Sequence, residues 1–198
     1  MTVEKNISSN FEYPVHALIQ QRRSRRAYAQ KSVEQEKIKS LFEAARWAPS
    51  SMNEQPWTYV YAIKEQPELW QNIFDSLSEG NRVWVKDAPL LIVSMARKWF
   101  TRNGVANSNA KYDLSAANSF LSLQATELGL NVHQMGGYDG VVLRKSLNIP
   151  QEYELGVVMA VGYPGDSRQL PENLRIREEG PRNRLVQDEF VMNSAFPE

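Results

Sequence analysis

Pro49 and Pro56 force a change of backbone geometry: the first stops an incoming helix, and the second disfavours helix at Gln55. Upstream, Ile38, Leu41, Phe42 and Ala45 share one helical face, and downstream Thr58-Tyr59-Val60-Tyr61-Ala62-Ile63 reads as a strand. Ser32 followed by Gln35 predicts a capping box for the helix, with Glu34 and Glu36 in its positive first turn. Between the prolines, Ser50, Ser51, Asn53 and Gln55 crowd short polar groups together, with Trp47 and Trp57 as flanks. Taken alone, the stretch reads as a capped connector with both tryptophans in the core. The sharper alternative is a loop that offers hydroxyls and amides to a planar ligand.

Residues 1–12 lack periodicity and read as a loose arm. Pro14 suits the first turn of a helix carrying Val15, Leu18 and Ile19, which runs into Arg22-Arg23-Ser24-Arg25-Arg26. Arginines suit a helix C-terminus, yet four around one serine exceed what capping requires, so phosphate binding rivals capping here. Pro67 opens a short helix through Leu69, Trp70, Ile73, Phe74 and Leu77, with Gly80 as its expected stop. The unbroken run Leu90-Leu91-Ile92-Val93 predicts a strand buried on both faces. Residues 97–110 are irregular, either a lid or substrate wall or a mobile insertion.

From about residue 112 to 128 the pattern is helical and apolar on more than one side, ending at Gly129, which suits a core helix or a subunit interface. Leu130-Asn131-Val132-His133-Gln134-Met135 has strand character and meets Gly136-Gly137, where the backbone can closely approach something flat. A short helix through Val141, Val142 and Leu147 precedes the strand Leu155-Gly156-Val157-Val158-Met159-Ala160-Val161-Gly162. A polar tail with Arg182 and Arg184 and a last apolar patch at Phe190, Val191 and Phe196 follow. With 198 residues and no linker or repeat, one domain is expected over residues 1–198.

With 23 basic and 23 acidic residues there is no global field to gather nucleic acid or an anionic membrane, and no apolar run spans a bilayer. Zero cysteines exclude disulfides, thiolate metal sites and a cysteine nucleophile, and two histidines disfavour a histidine-rich metal site. The N-terminus lacks a signal pattern, which makes a cytoplasmic protein the expectation. No G-x-G-x-x-G, P-loop or G-x-S-x-G elbow is present, and no carboxylate pair is set for acid and base work. His133 reads as filling a core or pocket position. If the chain is an enzyme, a cofactor carries its chemistry.

The polar and glycine features together resemble the nitroreductase family of FMN-dependent oxidoreductases. The matching residues are Arg22-Arg23-Ser24-x-Arg26, Ala44-Ala45-x-x-Ala48-Pro49-Ser50-Ser51-x-Asn53-x-Gln55-Pro56-Trp57, Asn81-x-x-Trp84-x-x-x-Ala88-Pro89, Gly129-Leu130 through Gly136-Gly137-Tyr138-Asp139, and Arg182-x-Arg184. The resemblance implies an α+β fold with a mostly antiparallel central sheet flanked by helices, in a homodimer with FMN at the interface. It implies that Arg22, Ser24, Arg26, Arg182 and Arg184 hold the FMN phosphate, with Arg23 against the flavin or its ribityl chain. Asn81 would meet the pyrimidine edge of the ring, with Gln134, Met135, Gly136 and Gly137 along one side. Pro49, Ser50, Ser51 and Asn53 would come from the other subunit.

The implied reaction is ping-pong hydride transfer from NADH or NADPH through flavin N5 to a nitroaromatic, a quinone or a similar small electron-poor acceptor. One open flavin face serves both halves, so no separate dinucleotide motif is required. Many relatives carry an acidic residue just before the second glycine of the Gly136-Gly137 segment, where this chain has glycine. A flavin-binding or flavin-fragmenting protein on the same fold, and a polyanion-binding module using the arginines, are the rival readings.

Overall fold

A computed structural model describes residues 7–8 and 10–196. Among the described residues the α-helices and β-strands follow in the order β1 (Ile7–Ser8), α1 (Ala17–Gln21), α2 (Gln35–Arg46), β2 (Trp57–Ile63), α3 (Pro67–Asp75), α4 (Glu79–Val85), β3 (Leu90–Arg97), α5 (Ala110–Glu127), β4 (Asn131–Met135), α6 (Gly140–Ser146), β5 (Tyr153–Gly162), α7 (Glu172–Glu179) and β6 (Arg184–Leu185). The main sheet is antiparallel throughout, in the order β2-β3-β5-β4. Its register sets Val60 against Val93, Val93 against Val158, and His133 against Ala160.

Side chains alternate across a strand, so a strand apolar at every position must be covered on both faces. β3 satisfies this requirement. Leu90 and Ile92 pack with Ile38, Leu41 and Leu121 of α2 and α5. Leu91 and Val93 pack on the other face with Trp70, Ile73 and Trp84 of α3 and α4. The architecture is therefore helices on both sides of an antiparallel sheet, as the α+β expectation has it. A bulge between Val93 and Met95 interrupts the β3–β5 ladder, and there Ser94 Oγ accepts from the Val157 N–H and donates to the Val157 carbonyl, each at 3.0 Å. Gly129, at φ +73°, ends α5 as its position in the sequence predicts.

Four local expectations are corrected. Ser32 does not cap α2: the N-cap is Glu34, without a side-chain capping bond, and the Ser32 hydroxyl instead donates to Glu65. Pro14 lies outside the short α1, whose N-cap is His16. Gly80 does not stop α3, which ends at Asp75, but sits in the first turn of α4. Trp47 is 69% exposed, because Ala48 and Ala45 take the inward positions and its indole N–H donates to Glu43 on the surface.

The tail beyond β5 also contains a helix that hydropathy concealed: α7 offers only Leu174 and Ile176 as large apolar residues. Most of the predicted N-terminal arm lies outside the described residues, but Ser8 pairs with Arg184 and joins the two ends of the chain in a second, two-stranded sheet. No described helix is long and apolar enough to cross a membrane.

Candidate functional site

Arg22 is the C-cap of α1, where carbonyls are left without helical partners. Arg182 supplies some of those partners, its guanidinium donating to the carbonyls of Arg22 and Gln20 at 2.6 Å each. Arg23 donates to the Gly180 carbonyl at 2.6 Å, and Arg184 lies next to this clamp in β6. The segment after α7 is thus docked on the segment after α1, and their arginines are brought together. Burial, then the charges of Arg182, Arg184 and Arg23, lower the pKa of Arg22. Among the described residues, none of these four arginines has a carboxylate within ion-pair distance. Arg22, Arg182 and Arg184 line a cleft of about 330 Å³ with Phe11, Tyr13 and Ile19.

Arg22 also borders a second cleft, of about 280 Å³, with Ser24, Ser119, Ser122, Leu123 and Gln134. Its guanidinium donates to Ser24 Oγ at 3.3 Å, and Gln134 Nε2 donates to Ser122 Oγ at 3.2 Å. From Gln134 the chain passes through Met135, whose side chain is buried, leaving only its backbone for a ligand. Gly136 and Gly137 follow, both exposed. The Gly137 carbonyl accepts from Asn81 Nδ2 and from the Ser78 N–H, each at 2.9 Å. A Cβ on Gly137 would come within 2.9 Å of both Asn81 Nδ2 and Ser78 Oγ, so glycine lets Asn81 lie this close.

A third cleft, of about 540 Å³, is lined by Asn81, Ser78, Arg26, Trp84 and Arg177. Arg26 therefore sits with Asn81 and not in the cleft of Arg22, Arg182 and Arg184. Its placement comes from Glu178, 4% exposed, whose carboxylate accepts from the Arg26 N–H at 3.0 Å through both oxygens. The guanidinium is 3.9 Å from that carboxylate and 6.0 Å from the Trp84 ring centroid, and makes no hydrogen bond to a described residue. His133 packs 4.6 Å from the Trp84 ring, with Nδ1 3.1 Å from the Arg25 carbonyl.

Burial first, and the Arg26 charge second, push the His133 pKa down to about 4 from 6.5. Folding therefore favours its neutral ring. That contribution is complete above pH 6.5 and is lost as pH falls towards 4, up to about 3 kcal/mol. Urea midpoints taken across this window should fall for the wild type and stay flatter for His133→Gln. Parallel curves would place the titration elsewhere.

The Pro49 to Asn53 loop shares none of these clefts. Ser50 Oγ accepts from the Gln55 N–H at 3.0 Å, and the Ser51 N–H donates to Asp113 Oδ2 at 3.1 Å, while Pro49 and Asn53 stay exposed. Met52, Asn53 and Gln55 all have positive φ, +54°, +55° and +51°, a concentration of left-handed non-glycine residues that must be held by its surroundings. Part of that hold is Glu54, which accepts from both the N–H and the hydroxyl of Thr101 at 2.8 Å. Sequence reasoning missed Ser122 and Glu178, neither of which stands in a recognisable motif. Among the described residues no group of acidic or histidine side chains could hold a metal.

The nitroreductase family model matches residues 19–163. A solved structure described as an oxidoreductase containing FMN superposes with a TM-score of 0.90 at 32% identity, covering 100% of this chain and 99% of its own. A protein of Archaeoglobus fulgidus with the provisional name NADH dehydrogenase/NAD(P)H nitroreductase is 27% identical, over 78% of this chain and 88% of its own length. The 5,6-dimethylbenzimidazole synthase of Rhodospirillum rubrum is 25% identical, over 84% of this chain and 90% of that protein. With the family model spanning the Arg22 to Arg26 segment, the Pro49 to Asn53 loop, Asn81 and the paired glycines, the chain belongs to the nitroreductase family.

Proposed function

We propose that the chain is an FMN-dependent oxidoreductase that works as a homodimer, taking hydride from NADH or NADPH and delivering it to a nitroaromatic, a quinone or a similar electron-poor acceptor. The observation that carries this reading is the cluster of Arg22, Arg23, Arg182 and Arg184 without a carboxylate in ion-pair reach among the described residues. Such a cluster is relieved by a dianion, and guanidiniums grip phosphate through paired hydrogen bonds. The cleft with Ser24 and Gln134 continues from it, and the Asn81 and Arg26 cleft follows beyond the two glycines. An elongated ligand with a phosphate at one end and a polar ring edge at the other fits that order.

Bound FMN would supply the two-electron hydride carrier that no side chain here provides. Arg22 and Arg184 would hold the phosphate, while Arg182 keeps the end of α1 in place. The open side of Gly136 leaves room for a flat ring beside the backbone. The guanidinium of Arg26, paired with Glu178 at 3.9 Å without a hydrogen bond to it and standing beside Asn81, would favour negative charge at the ring's pyrimidine edge, a different task from the phosphate contact that the resemblance implies. Because Pro49, Ser50, Ser51 and Asn53 lie outside these clefts, a second copy would bring them to the ligand. Tyr112 and Phe120, exposed on α5, offer apolar surface for that contact.

The purified protein is expected to be yellow, to release FMN on denaturation and to bleach anaerobically with NADH or NADPH. A colourless protein that FMN cannot reconstitute would sink this reading. The similarity to the dimethylbenzimidazole synthase favours one second reading, a flavin-binding or flavin-fragmenting protein. FMN binding without bleaching by either nicotinamide would select it.

A further inference from the structure

Ser122 is 5% exposed on the sheet side of α5, and its hydroxyl donates to the Asn118 carbonyl one helical turn earlier at 2.8 Å. A hydroxyl has one hydrogen, so towards any other neighbour this oxygen can only accept. That neighbour is Gln134, whose Nε2 lies 3.2 Å from Ser122 Oγ. The orientation of the amide follows. With that hydrogen directed to Asn118, the amide NH₂ faces Ser122, and the reverse rotamer would require the hydroxyl to turn away from the Asn118 carbonyl.

The support beneath Ser122 is itself anchored. Asn118, 4% exposed, accepts from the Tyr59 hydroxyl at 3.0 Å and donates to Ser94 Oγ at 3.2 Å, within the bulge of β3. Gln134 Oε1 is consequently left over, with no donor to it among the described residues, on a side chain that lines the cleft shared with Arg22 and Ser24. A carbonyl oxygen repels phosphate and accepts from a neutral hydroxyl. The cleft that begins at Arg22 thus suits hydroxylated carbon next to the phosphate.

We infer that Ser122 is a positioning residue: through Gln134 it presents a fixed acceptor to a ribityl hydroxyl of the bound flavin. This inference rests on the FMN reading, and its test separates the two. Apoprotein of the wild type, Ser122→Ala, Gln134→Ala and the double variant is titrated with FMN. The same titration uses an analogue whose ribityl chain is replaced by an unhydroxylated five-carbon chain carrying the same phosphate.

Each single substitution should weaken FMN binding by about three- to tenfold, the value of one neutral hydrogen bond. The double variant should be no weaker than Gln134→Ala, since Ser122 acts only through that amide. With the hydroxyl-free analogue, all four proteins should bind alike. A Ser122→Ala loss that adds to that of Gln134→Ala, persists with the analogue, or is absent altogether would overturn the role. Thermal midpoints of the apoproteins identify any loss that comes from the fold. Wild-type protein that binds neither FMN nor the analogue would instead overturn the flavin reading, and the role of Ser122 with it.

Discussion

Replacing Arg22 and Arg184 together by alanine is expected to weaken FMN binding by about two to four orders of magnitude, since charge-assisted hydrogen bonds contribute roughly 1.5–3 kcal/mol each. The same change should leave the apoprotein as stable as the wild type or slightly more so. Arg22 is half-buried beside Arg182, Arg184 and Arg23, all of like charge, and its lowered pKa reflects first its desolvation and then that crowding. Without a bound anion, removing two of the four relieves repulsion. Affinity and stability therefore move apart, a pattern that damage to the fold would not produce. Arg182 is the wrong residue for this experiment, because its guanidinium also closes the carbonyl end of α1. Isothermal titration of apoprotein with FMN, beside thermal melts without it, reads both quantities. Wild-type affinity in the double variant would remove the phosphate from this cluster.

What could be read from the sequence was whatever depended on neighbours along the chain. The unbroken apolar run at Leu90 to Val93 foretold a strand covered on both sides, since alternation leaves no solvent face in such a run. Gly129 foretold the end of α5 because its left-handed conformation suits few other residues. The capping box at Ser32 failed for a non-local reason: Glu65, from the connection between β2 and α3, takes the Ser32 hydroxyl. Helix α7 was hidden because its fixing contact is polar. Glu178 reaches the backbone of Arg26 from 152 residues away, and no periodicity records it.

The same distinction runs through the candidate site. The arginines, the Pro49 to Asn53 loop and the paired glycines were legible as residue types with known uses. Their arrangement was not. Arg26 stands four residues from Arg22 in sequence yet lines the Asn81 cleft, because Glu178 and Trp84 direct it there. Ser122 carries no motif, and its relevance follows only from where its single hydrogen goes. The positive φ of Met52 is likewise invisible in a residue that rarely adopts it. Hydrogen bonds accepted by Asp113 and Glu54 hold that loop, and both close over long stretches of chain.

Glu178→Ala should lower the thermal midpoint by about 6–20 °C. Breaking a buried charged pair costs roughly 3–5 kcal/mol, and each kcal/mol is about 2–4 °C in a chain of this size. Three backbone contacts reach the carboxylate, two from the Arg26 N–H at 3.0 Å and one from the Ala27 N–H at 3.4 Å. Alanine would leave these N–H groups without their acceptor, and Arg26 without its counter-charge, beside the fully buried Tyr28. Glu178→Gln separates the two effects: an amide oxygen can still accept from the backbone, but the charge is gone. Its midpoint should fall between those of the wild type and the alanine variant. Calorimetric scans of the three apoproteins would decide the matter. A shift below about 2 °C for Glu178→Ala would mean that the segment from Arg22 to Ala27 is held by its arginine clamp and sheet contacts alone.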